Sequence, residues 1–264
     1  MAPMGLLATG FSFAAFRGLH WGMKLLPTPG STALDRWKWR NHCVSLMHSL
    51  LTGAGALLGV SLYPQLAADP VHGHPFWALA LVAVSVGYFL ADGADLLWNQ
   101  TLGQAWDILC HHLVVVCCFS FAVLSGHYVG FSMVCLLVEV NSICLHLRML
   151  LLTSHQIPSL AFSVTSYATL ATLVLFRLVP LGWMSLWMLR KHHRIPLSQI
   201  ILGGTGLVTV GAMSIRIGVR ILISDVLRPR PHPPILEHEE TRETRTCDHE
   251  PITRDNFTLN LKNR

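Results

Sequence analysis

Seven apolar stretches dominate this chain, near residues 4–26, 41–63, 76–97, 110–126, 128–152, 159–187 and 197–223. A hydrocarbon layer about 30 Å thick takes roughly 20 residues of helix to cross. Inside lipid the backbone must satisfy its own N–H and C=O groups, so only helices and closed barrels span it. Stretches this long, without strand-like alternation, point to helices. The composition agrees: 52% of residues are hydrophobic and only 12% are charged, against about 25% charged in a soluble domain. Too few charges exist to cover a water-facing surface, so the fold class is an all-α polytopic membrane protein. Turn residues mark the breaks: Pro27, Pro29 and Gly30, then Pro64 and Pro70, then His72 to Pro75, Gly126, Pro158 and Pro196. Trp21, Trp37, Trp39, Tyr63, Trp77, Trp98, Trp106 and Trp187 lie near stretch ends, as an interfacial aromatic belt requires.

The formal charge of +5 comes from basic residues just outside the apolar stretches: Arg36, Lys38 and Arg40, then Arg190, Lys191 and Arg194, then Arg228 and Arg230. That placement orients a membrane protein, and no aromatic-interleaved basic face suggests nucleic acid. The first loop carries three Lys or Arg with Lys24 beside it, and the second carries none. The N-terminus is therefore expected outside and the C-terminus in the cytosol; Arg190 to Arg194 stand against that count. Residues 1–32 read as a retained signal-anchor helix, because no basic residue precedes their apolar run. Residues 228–264, charged and poor in large hydrophobes, read as a disordered cytosolic tail. Asn99-Gln-Thr101 and Asn256-Phe-Thr258 match the glycosylation pattern but would face the cytosol. The final Leu-Lys-Asn-Arg is no retrieval signal and favours the plasma membrane over the endoplasmic reticulum. The seven cysteines have no zinc-type spacing and read as small buried hydrophobes. No cofactor motif or metal-ligand set is evident, and no internal repeat supports a transporter built from inverted halves.

Ionisable groups at membrane depth are expensive and mark candidate sites. Asp92 and Asp95 are three apart, on one helix side with Tyr88. Such a pair can bind a metal or share a proton; equally, it can be solvated or paired near the cytosolic end. Asp107 and His111 are four apart, which lets the carboxylate fix the imidazole's tautomer, and His112 follows directly. Histidine there can serve as general base or nucleophile in acyl transfer. On the fifth stretch, Glu139, Ser142 and His146 share one face, while Asn141 and Arg148 share the opposite one. A helix polar on two sides belongs in the centre of a bundle, with Arg148 expected to snorkel to the interface. His42, His48, Arg17 and Arg177 read as interfacial or helix-pairing residues, and Ser163, Ser166 and Thr169 as hydrogen-bonding within or between helices.

In order, Trp39-Arg40-Asn41-His42 with His48, the aspartates after Gly87-Tyr88-Phe89-Leu90, His111-His112 and Glu139-Val140-Asn141-Ser142 resemble the TLC-domain superfamily of translocating-chain-associated proteins and ceramide synthases. The resemblance covers about residues 33–227. It implies six helices around a lipid-accessible cavity, plus one N-terminal transmembrane helix. It also implies that His111 and His112 stand where the synthases hold their acyl-transfer histidines. The synthases carry a His-Asp step and a second Asp on the next helix; here those positions read Val138-Glu139 and Ser142. One carboxylate is kept and one lost, which argues against ceramide synthesis. The relatives most resembled imply control of phospholipid composition and fluidity at the plasma membrane, limiting fluidising polyunsaturated chains. Membrane phospholipids or acyl lipids are thus the expected ligands, and a homo-oligomer is compatible with the sequence. An acyltransferase with His111 or His112 as base or acyl carrier, Asp107 orienting and Glu139 assisting is the alternative. A transporter using Asp92, Asp95, Glu139 and Arg148, or a seven-helix receptor, fits less of the pattern.

Overall fold

The computed structural model describes residues 2–28, 36–72, 74–99, 102–156 and 159–227. Several expectations lie outside these residues: the turn at Pro29 and Gly30, Pro158, Thr101 of the first glycosylation pattern, and the whole tail with Arg228, Arg230, Cys247 and Asn256. Every regular element described is helical. Helix α1 is Ala2–Leu25, α2 Arg36–Leu62, α3 the short Gln65–Ala68, α4 Phe76–Asn99, α5 Leu102–Ser125, α6 Val129–Cys135, α7 Val138–Thr153, α8 Leu160–Leu173, α9 Val179–Lys191 and α10 Leu197–Ile221.

Six spans among the described residues are long and apolar enough to cross a membrane. They start at Arg36, Phe76, Trp106, Val129, Leu160 and Leu197. Helix α1 is long enough at 24 residues, but Arg17 and His20 dilute its apolarity. Its place is fixed by packing: Ser12 Oγ donates to the Val84 carbonyl at 2.7 Å and Thr9 Oγ1 to the Ala83 carbonyl at 3.3 Å. Contact is this close because position 87 of α4 is glycine; a Cβ there would lie 2.5 Å from the Thr9 carbonyl oxygen and 2.6 Å from Ser12 Cβ. Helices α2 and α5 begin well before their apolar stretches. Residues 36–40 and 102–109 are too polar to count as hydrocarbon-spanning, yet nothing in them stops a helix from propagating outward into the interface. Arg36, Lys38 and Arg40 therefore ride on the first turns of α2 rather than on a loop.

Two spans are broken. The one that starts at Val129 divides at Leu136-Leu137, where Glu139 N–H donates to Leu136 O and Val140 N–H to Leu137 O, both at 3.0 Å, in a tightened turn. The one that starts at Leu160 widens into a π-helical turn at Val174–Leu178. Pro180, two residues on, has no N–H for the carbonyl of Phe176, and a widened turn upstream of such a gap is a usual accommodation. A second π turn, Leu222–Leu227, ends α10.

The main core lies among α1, α2, α4, α5 and α6, around Val44, Ala56, Leu79, Val82, Ala83 and Met133. A small separate cluster of Val138, Leu181 and Val210 joins α7, α9 and α10. Large apolar side chains point outward instead of being hidden, among them Leu7, Phe11, Leu160, Leu189, Leu197 and Val208. Such a surface suits lipid. The packing is thinnest between α5, α9 and α10, and a cleft opens there.

Candidate functional site

The cleft measures about 800 Å3 with its open mouth included. Its walls come from α5 (Val114, Phe119), α6 (Phe131, Cys135), α9 (Leu181, Trp187) and α10. Glycines at 203 and 206 thin the α10 wall, and a Tyr128 hydroxyl hydrogen bond to Gln199 Oε1 ties two lining residues together. Apart from these and a few thiols and hydroxyls the lining is hydrocarbon.

Polar groups gather one turn beyond one end of this cleft. Val114 follows His111 by three residues, Cys135 precedes Glu139 by four, and Leu181 follows Arg177 by four. Successive spans run in opposite directions, so all three steps lead towards the same end, and His111, Glu139 and Arg177 form one layer. Arg177 lies within electrostatic reach of Glu139, Cys135 and His111.

Half of the sequence candidates, His111, His112, Asp92, Glu139 and Ser142, meet in or beside this layer. His112 is buried, with Nε2 3.5 Å from Asp92 Oδ2. His111 and His112 ring centroids are 5.8 Å apart, and both rings contact Phe89. His48 stacks on Tyr88 at 3.7 Å and comes within 3.9 Å of Glu139 Oε2, which accepts from Ser49 Oγ at 2.6 Å. Two turns along the same α2–α7 seam, His42 and His146 share an Nδ1–Nδ1 hydrogen bond of 3.3 Å. Ser142 accepts from Arg177 Nη2 at 3.0 Å. On the opposite side of α7, Asn141 donates to the Thr169 carbonyl and to Thr172 Oγ1, both at 2.8 Å. The two-faced reading of this helix therefore holds: Glu139 and His146 face α2, and Asn141 faces α8. His42, His48, Arg17 and Arg177 all pair helices.

Three expectations need correction. Asp107 does not orient His111. It faces outward and pairs with Arg216 of α10, Oδ2 to Nη2 at 2.7 Å. Spacing of four permits contact within a helix, but a guanidinium on the neighbouring helix captures the carboxylate. The acid beside the histidine pair is Asp92, delivered by the antiparallel packing of α4 on α5. Second, Asp92 and Asp95 share a side but not a site. Asp95 accepts from Trp37 Nε1 at 2.7 Å and lies near Arg17 (3.5 Å) and His20 (3.8 Å), joining α1, α2 and α4. Third, Arg148 does not snorkel. Its Nε and Nη2 donate to the two oxygens of buried Asp225 at 2.7 and 2.9 Å, with Phe162 under the guanidinium. Among the described residues no group of three His, Cys, Asp or Glu is arranged to hold a metal.

Sequence reasoning did not single out Asp225, Ser49 or His20, and read Trp37 as part of the aromatic belt and not as a partner of Asp95. Asp225 had a signal, being an acid at the edge of an apolar stretch; the other three have none without the packing.

Chemically, the layer is unusual for its unspent polar atoms. Both ring nitrogens of His48, the Nδ1 atoms of His111 and His112, Asp92 Oδ1 and Arg177 Nε are buried with no partner. Buried polar groups are normally hydrogen-bonded, so exceptions mark places where function outweighs packing. A proton on His112 Nε2 directed at Asp92 leaves Nδ1 as a free acceptor, the arrangement a general base needs. The exposed Asp107–Arg216 pair has no such role: Asp107→Asn should leave thermal stability and cellular phospholipid profiles unchanged, measured beside wild type.

A bundle of apolar helices with six candidate spans among the described residues defines a multi-pass membrane protein. The TLC domain family matches residues 38–222, and this chain belongs to it, a family related to lipid-metabolism and membrane proteins. Over 263 residues the chain is 73% identical to TLC domain-containing protein 2 of Homo sapiens, covering 99% of this chain and 100% of that protein. Identity to the Mus musculus protein of the same name is 64% over 262 residues, 99% of this chain and 83% of that protein. TLC domain-containing protein 1 of Homo sapiens is 30% identical over 228 residues, 85% of this chain and 91% of that protein. No solved structure matches the chain.

Proposed function

We propose that this protein sets the acyl-chain composition of membrane phospholipids, limiting fluidising polyunsaturated chains, and that it does so by taking single acyl chains into the cleft. The observation that carries this reading is a hydrocarbon-lined cleft with a buried polar layer one helical turn beyond its lining residues. That is the shape of an amphiphile's site: tail against Val114, Phe119, Leu181 and Trp187, polar end towards His111, Glu139 and Arg177. Rigid aromatic walls such as Phe131 and Trp187, whose rings meet at 5.8 Å, give a basis for sorting straight from multiply bent chains. The protein acts as a multi-pass resident of the plasma membrane, N-terminus outside and C-terminus cytosolic, with residues 33–227 as the lipid-handling domain, 1–32 as its anchor helix and 228–264 as a cytosolic tail.

The Asp92–His112 pair and the unspent nitrogens favour one second reading, intramembrane acyl transfer with the histidine pair as base or carrier and Glu139 assisting. Phospholipid acyl-chain profiling separates the two. Cells lacking the protein should gain polyunsaturated species, and wild type should restore the profile. A His111→Ala/His112→Ala variant at matched expression that fails to restore it supports chemistry at the pair. Equal rescue removes the acyl-transfer reading and leaves lipid binding. An unchanged profile in the knockout removes both.

A further inference from the structure

Arg177 is the cation of the polar layer, and its hydrogen-bonding capacity is only partly used. It is 7% exposed and sits in the π turn, which displaces it from an ordinary helical register. A guanidinium carries five N–H donors. Here Nη2 donates to Ser142 Oγ at 3.0 Å, and Nε is buried with no partner. The carboxylate within electrostatic reach, Glu139, has its Oε2 engaged by Ser49 at 2.6 Å and approached by His48 at 3.9 Å. The other neighbours in reach, His111 and Cys135, are not anions that could neutralise it as they stand. Elsewhere in this bundle the buried arginine has a full fork: Arg148 holds both oxygens of Asp225. A buried cation without an acceptor is costly, and this one lies a turn beyond Leu181 in the wall of an apolar cleft.

We infer that Arg177 is an anion anchor, and that the cleft takes an anionic single-chain amphiphile, a long-chain fatty carboxylate or alkyl phosphate, with its head on the Arg177 Nε edge beside Ser142. The inference rests on the acyl-chain reading of the cleft and adds the charge of the ligand's head. A planar guanidinium binds carboxylate and phosphate alike through paired hydrogen bonds, so both sources are compared in the test.

The test uses purified full-length protein in detergent and equilibrium binding of three probes with one tail: oleate, oleyl phosphate and methyl oleate. At least one anion should bind about tenfold or more tightly than methyl oleate, and whichever binds tighter identifies the head. Arg177→Gln should bring the anions down to the methyl ester, whereas Arg177→Lys should keep part of the preference and Arg216→Gln all of it. Should Arg177→Gln not fold, the wild-type preference and Arg177→Lys still decide. Binding of both oleate and oleyl phosphate no tighter than methyl oleate by wild type, or anion preference intact in folded Arg177→Gln, overturns the anchor while leaving the cleft as an acyl-chain site. Failure of all three probes to bind overturns the cleft reading, and the anchor with it.

Discussion

Asp225→Ala should destabilise the folded protein by about 3–5 kcal/mol, the usual cost of stranding one member of a buried ion pair. Asp225 is the shared acceptor for Arg148 Nε and Nη2, Ser166 Oγ and Ser224 Oγ. Removing the carboxylate leaves a buried guanidinium, with 9% of its side chain exposed, facing two hydroxyls and the Phe162 ring. A thermal melt in detergent should shift down on the order of 10 °C. The double replacement Arg148→Met/Asp225→Leu should recover most of the loss, since an apolar pair of similar volume satisfies itself. Equal melting of Asp225→Ala and wild type would show that the pair is not formed in the membrane protein.

Gly87→Ala is the second change of large effect, although it adds only one carbon. The new Cβ would stand 2.5 Å from the Thr9 carbonyl oxygen and 2.7 Å from Phe13 N. These are backbone atoms, so no rotamer change makes room; α1 must back away. That lengthens the Ser12–Val84 and Thr9–Ala83 hydrogen bonds and loosens Arg17 from Asp95. Overpacking of this kind costs about 1–3 kcal/mol, more where the backbone itself is displaced. Gly93→Ala on the same helix is the matched comparison. Nothing lies within 4 Å of its added Cβ, so it should be neutral or should stabilise by up to about 1 kcal/mol through helix propensity. Equal melts for the two alanine variants would contradict the close docking of α1.

The architecture was largely readable because apolar length and turn residues are properties of the chain itself. Pro64, Pro75, Gly126 and Pro196 stand at real breaks. The two-sided polarity of α7 was readable for the same reason: seven residues separate Glu139 from His146 and Asn141 from Arg148, whatever the surroundings. Partnerships between helices were not readable. Asp107 was matched to His111 because both lie on one helix, when the acid beside the pair, Asp92, comes from the preceding span. Arg148 was expected to reach water because an arginine near a helix end commonly does, and its partner Asp225 lies 77 residues away in the chain. Arg177 was placed correctly as a helix-pairing residue, yet its unspent Nε depends on where Ser142 and Glu139 sit, which no spacing reveals.

The π turn at Val174–Leu178 makes the span that starts at Leu160 two rotational blocks on one rod. A residue of ordinary helix turns the rod by about 100°, and the widened turn absorbs such a step before α9 begins. The phase of Leu181, Met184 and Trp187 around the cleft is therefore set independently of the phase of Ser166 and Thr169 on α8. Shortening the turn by one residue would leave both halves helical and equally apolar, yet would swing the cleft-facing side chains of α9 towards lipid. Hydropathy would not register such a change; the cleft would lose a wall.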